Sequence, residues 1–208
     1  MSIFVQEATT SYKFASCNGP VIAEIDDFPV VRDTCVHESA HAVFAHGFGQ
    51  RIKTVSAAPP ARVVTAGEPA TGYVERIALL WAAAAAQAST HNFRITLGLL
   101  DEEDHLNRVK AFQHGGCDEC QMAANAWAAN GFEAGIDAAR AVFREGQLLA
   151  LKLLDRCDVR AAIRTLSDKL ADGEIVDGET CHGLIENHLA FGSLRQKTRG
   201  KQVPTRDV

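Results

Sequence analysis

From about Asp33 to Phe48, apolar residues recur at helical spacing, with Val36, Ala40, Val43 and Phe44 on one face. Asp33 or Thr34 can cap the start, and Gly47 and Gly49 mark the end. The period then shortens. Ile52-Lys53-Thr54-Val55-Ser56 and Arg62-Val63-Val64-Thr65 read as two short strands joined by a turn at Pro59-Pro60. After the loop from Gly67 to Gly72, Val74 to Ser89 predicts an alanine-rich helix, apolar nearly all round from Ile77 to Ala86 and therefore central and buried. Asp101 can cap a further helix through Leu106, Val109 and Phe112 to Gly115-Gly116. More helices are expected over about 118–130, 132–154, 159–170 and 177–187. Residues 1–31 alternate weakly, and Val21, Ile22 and Ile25 suggest a short strand. The fold class is mostly α, with a small early β-sheet (α+β).

At 208 residues and 47% hydrophobic, the chain can bury one sizeable core. The expected division is an N-terminal extension (1–31), one domain (32–190) and a basic, flexible tail (191–208) that carries Arg195, Lys197, Arg199, Lys201 and Arg206. A net charge of -5 offers no general attraction to nucleic acid or to an anionic membrane. The N-terminus lacks the basic and apolar regions of a secretory signal, and the longest apolar run falls short of the roughly 20 residues a bilayer needs. A soluble, cytoplasmic protein is the expectation. Its 6 cysteines are spread thinly, as befits reduced thiols.

Candidate chemistry is concentrated in the first helix, in Val36-His37-Glu38-Ser39-Ala40-His41-Ala42-Val43. Residues four apart on a helix share a face, with Cβ atoms about 5–6 Å apart, so both imidazoles can reach one metal ion at roughly 2.0–2.1 Å. Glu38 lies about 100° round from His37, placed to bond a metal-held water without being a ligand. The arrangement is that of a Zn²⁺ hydrolase: the ion acidifies water, and Glu38 acts as general base. A bland reading, two surface histidines and a solvated glutamate, stands beside it. His46, five residues past His41, turns away from that face and is expected near the surface.

A third protein ligand is required. The metzincin spacing fails, because its glycine and third-histidine positions are Phe44 and Gly47. Asp101, Glu102, Glu103 and Asp104 are the carboxylate candidates, with His105 a further rival. As a carboxylate at a helix start, Asp104 also has a purely structural reading, since it favours the helix dipole.

The run HESAHAVFAHGFGQRIKTVSAAPP resembles the start of the peptidase domain of FtsH-type AAA+ zinc proteases. In that family, a helix bearing His-Glu-Ala-Gly-His-Ala leads to a strand ending in prolines. Gly72-Tyr73 is similar to the family's Gly-Tyr segment, and Leu79 to Gln87 stands where it has Leu-Ala-Gly-x-Ala-Ala-Glu. Glu103-Asp104-His105-Leu106 stands where it has Asn-Asp before a hydrophobic helix, and the C-terminal helices, with Leu170-Ala171-Asp172-Gly173-Glu174-Ile175, resemble its helical end. The likeness spans roughly residues 30 to 190. It implies that Asp104 is the third Zn²⁺ ligand beside His37 and His41, that Glu38 is catalytic, and that the domain is a zinc peptidase able to form homo-oligomers.

Ser39 and Ala40 replace the family's Ala and Gly, small for small. The alanine-rich helix has Ala86 or Gln87 where the family has Glu, which weakens the expected support of the ligands. No Gly-x-x-x-x-Gly-Lys-Ser/Thr loop is present. The expected function is therefore hydrolysis of unfolded or flexible polypeptides without a motor, or with a partner ATPase in trans. The strand near Val55 or Val64 would align the substrate by its edge. The alternative is a non-enzymatic zinc-binding scaffold or regulatory domain. His114-Gly115-Gly116-Cys117-Asp118-Glu119-Cys120 reads first as a reduced cysteine pair, and second as a metal or redox site.

Overall fold

A computed structural model describes residues 32–67, 71–90, 102–113, 115–173 and 175–195. The expectations on residues 1–31, Asp101, His114 and the tail beyond Arg195 lie outside them. Among the described residues, the helical periodicities become α1 (Arg32–Gly47), α2 (Tyr73–Thr90), α3 (Glu102–Lys110), α4 (Asp118–Asn130), α5 (Ile136–Leu154), α6 (Cys157–Leu170) and α7 (Gly178–Glu186). The strands are β1 (Arg51–Ser56), β2 (Arg62–Ala66) and β3 (Val176–Asp177). No described helix is long and apolar enough to cross a membrane.

Two helices form the centre. α1 is buried on nearly all sides, and packs on α2, α6 and the β1–β2 pair. α2 buries Ile77, Ala78, Trp81, Ala82, Ala83, Ala85 and Ala86, and touches α1, α4 and α5. Its alanines let the neighbouring backbones come close. The tightest approach is from α5, where a Cβ added to Gly146 would lie 2.3 Å from Ile77 Cγ2 and 3.1 Å from the Val74 carbonyl oxygen.

Two helix boundaries differ from expectation. α3 stops at Lys110, and Phe112 takes φ 56° and is 81% exposed. α5 starts at Ile136 rather than near Phe132, because Gly131 leaves α4 at φ 78° and Gly135 is an extended N-cap.

The sheet has the order β2-β1-β3, antiparallel throughout. Val55 pairs with Val63 on one side and with Val176 on the other, so β1 is central and Val55 cannot offer a free edge. β3 escaped the sequence reading because 2 residues are too few to show alternation. Gly178 follows it; a Cβ there would fall 2.0 Å from the Ile52 carbonyl oxygen.

His46, expected near the surface, is fully buried. The Ile52 N–H donates to His182 Nε2 (3.0 Å), and His46 Nε2–H donates to the Leu189 carbonyl (3.0 Å). These partners fix both tautomers, so His182 Nδ1–H donates to His46 Nδ1 at 2.7 Å. Residues 191–195, assigned by sequence to the tail, dock on the same end of α1. Leu194 N–H bonds Gly47 O (2.8 Å), and Arg195 Nε donates to Phe48 O (2.7 Å).

Candidate metal centre

Because α1 presents His37 and His41 one turn apart, their Nε2 atoms meet at 3.0 Å. α4 brings up the third group. Asp118 is its first residue, behind the extended N-cap Cys117, and its Oδ2 lies 3.1 Å from His37 Nε2 and 3.2 Å from His41 Nε2. A tetrahedral ion with ligand bonds of about 2.0–2.1 Å needs donor atoms about 3.3 Å apart. The triangle has nearly that size.

Protonation follows from the outer partners. His41 Nδ1 faces the Leu79 carbonyl at 3.1 Å, and a carbonyl can only accept, so Nδ1 carries the proton and Nε2 a lone pair. For His37 the argument takes one more step. Gln87 Nε2 donates to the Asp33 carbonyl (3.1 Å), which turns Gln87 Oε1 toward His37 Nδ1 at 3.0 Å; that nitrogen is then the N–H. Two lone pairs and a carboxylate oxygen thus converge with no donor among them, an arrangement that a cation relieves. Gln87 thus fixes the ring of His37 through a neutral amide.

The titration tendencies express the same demand for positive charge. Burial would push His37 down, but Asp118, together with Gln87 and Glu38, outweighs it and leaves the imidazole raised. Burial would push Asp118 up, but the two imidazoles overcome it and hold its carboxyl far below the usual carboxylate range. Glu38 is 6% exposed, and its carboxyl is raised by burial against the opposing pull of His41 and His37. His37 and Asp118 each keep about a quarter of their side chain exposed, so the centre is open to solvent on their side.

Asp104 is not part of this cluster. Its carboxylate pairs with Arg108 on its own helix at 2.8 Å and is half exposed. The other carboxylate candidates described are likewise engaged by cations: buried Glu102 by Arg144 (2.7 Å) and Arg140 (3.1 Å), and Glu103 by Arg140 (3.1 Å). His105 faces Cys120 instead. Spacing alone could not choose between two helix starts, and the acidic run 101–104 was the louder signal. The quieter one was apolar content. Met122, Ala123, Ala126 and Trp127 are buried on α4, so Asp118 is the aspartate that opens a hydrophobic helix, whereas α3 is mostly charged.

Compared with family models and with curated proteins, the chain matches none of them.

Proposed function

We propose that this chain is a zinc-dependent metallopeptidase, akin to the peptidase domain of FtsH-type proteases, with His37, His41 and Asp118 as the Zn²⁺ ligands. The carrying observation is the donor-free convergence of those three atoms beside a buried glutamate on the same helix. Bound there, the ion would polarise a peptide carbonyl and lower the pKa of water to about 7. Glu38 takes a proton from the attacking water as its oxygen bonds to the carbonyl carbon. As the C–N bond breaks, Glu38 returns the proton to the amine nitrogen. A carboxyl raised by burial suits both transfers.

Among the described residues β2 ends the sheet, and with β1 it packs on α1, so its outer edge near Val64 is the candidate to align an extended peptide. The 208 residues hold no phosphate-binding loop, so unfolding of folded substrates needs an ATPase outside them, such as a partner; flexible chains need none. Assembly into a homo-oligomer is what the resemblance implies. The test sets casein against the zinc-loaded wild type and Glu38→Gln, with zinc content measured in both. Cleavage by wild type that Glu38→Gln abolishes while holding its metal supports the proposal. No cleavage by a fully metallated wild type, alone or with candidate ATPases, leaves a non-enzymatic zinc-binding domain.

A further inference from the structure

Beside the first centre lies a second group of ligand types that the proposed peptidase does not use. Cys117 and Cys120 flank Asp118 in sequence, and His105 reaches them from α3. His105 Nδ1, Cys117 Sγ and Cys120 Sγ all lie within 4.8 Å of one another, with His105 Nδ1 to Cys120 Sγ at 3.6 Å. We propose that these three residues bind a second, thiophilic divalent ion, Zn²⁺ above all, that clasps α3 to the start of α4.

Three observations carry this. First, the edge length fits: with Zn–S near 2.3 Å and Zn–N near 2.0–2.1 Å, a tetrahedral ion needs S and N about 3.6 Å apart. Second, Cys117 Sγ accepts the Cys120 N–H at 3.5 Å, the N–H to sulfur bond that supports a negatively charged ligand sulfur, and the helix start adds a favourable field. Third, the ligands come from two separate helices. A Cys-x-x-Cys pair alone would suit a disulfide, but neither cysteine is in one and Cys120, fully buried, is turned to an imidazole. Three protein ligands leave one position of a tetrahedral ion for a water.

Such a site would fix the backbone on both sides of Asp118. This consequence, unlike the second site itself, rests on the reading of Asp118 as a ligand of the first.

The test is metal content and sulfur ligation on the full chain, purified under reducing conditions with zinc. Expected are two equivalents per chain in wild type and one in His37→Ala/His41→Ala. In the latter, zinc absorption spectroscopy should show sulfur at about 2.3 Å, and cobalt substitution should give thiolate charge-transfer absorption. Cys117→Ser/Cys120→Ser should lose the sulfur signal and keep one equivalent on nitrogen and oxygen ligands. Should that double variant fail to fold, the histidine variant still decides: its zinc with no sulfur ligation, or its binding no zinc at all, overturns the second site. A wild type with one equivalent bound only by nitrogen and oxygen overturns it equally, and leaves the first centre standing. Loss of the first centre with sulfur-bound zinc intact would refute only the peptidase reading.

Discussion

Asp118→Ala removes one of three convergent acceptors, and the expected outcome is loss of zinc affinity at that centre by more than about 100-fold, beyond what outer-partner changes cost. Asp104→Ala removes only a half-exposed partner of Arg108 and should leave affinity unchanged. Titration with a competing chelator checks both; equal loss in the two variants would undo the assignment. Gln87→Ala should weaken zinc binding by about 10–100-fold, because His37 loses the acceptor that fixes its ring and tautomer. Of this site, His37, Glu38 and His41 were legible because one helix sets their geometry, and a four-residue spacing is a local fact. Asp118 is 77 residues past His41, and its place depends on how α4 packs against α2 and α3. Local spacing carries no such information. Gln87 was not visible as a hydrogen-bond partner, because its role needs the Asp33 carbonyl to orient the amide.

At the scale of elements, long and strongly periodic segments were readable. α1, α2, α4 and α6 stand within about two residues of their expected bounds, because their apolar runs and the polar or glycine residues that bound them are local features of the sequence. β3 and the start of α5 were not, since one exists only by pairing with β1 and the other is set by two glycine conformations. How the helices pack leaves a sharper mark at Gly146, where α5 meets Ile77 and the Val74 carbonyl. Gly146→Ala gains about 1 kcal/mol of helix propensity but forces a methyl into side-chain and backbone atoms, an overpacking cost of about 1–3 kcal/mol. Net destabilisation of up to about 2 kcal/mol should appear as a lower Tm, by as much as several degrees. A raised Tm would mean that α2 and α5 do not approach this closely.

For the molecule as a whole, closure runs through His46. It ties the end of α1 to the C-terminal part of the described residues through Leu189 and His182, and His182 ties in turn to β1 through Ile52. Burial lowers the pKa of both imidazoles, and for His46 the neighbouring His182 lowers it further. In the unfolded chain each titrates near 6.5. Between that value and the lower folded one, the unfolded state holds more protons, so stability rises with pH across this window and is lost as pH falls through it. His37 has the opposite sign in the metal-free protein, because its folded pKa is raised: its contribution is present below 6.5 and lost as pH rises. With Zn²⁺ held as proposed, that contribution is removed, since the ion takes the place of the proton. The measurement is therefore urea unfolding of the zinc-loaded protein between pH 7.5 and 5.5, for wild type and His46→Gln. Glutamine can accept from His182 and donate to Leu189 without titrating. Wild type should lose unfolding free energy steadily toward pH 5.5, and His46→Gln should lose less. Parallel slopes would show that His46 accepts its proton as readily folded as unfolded, contrary to its burial against α7 and Leu189.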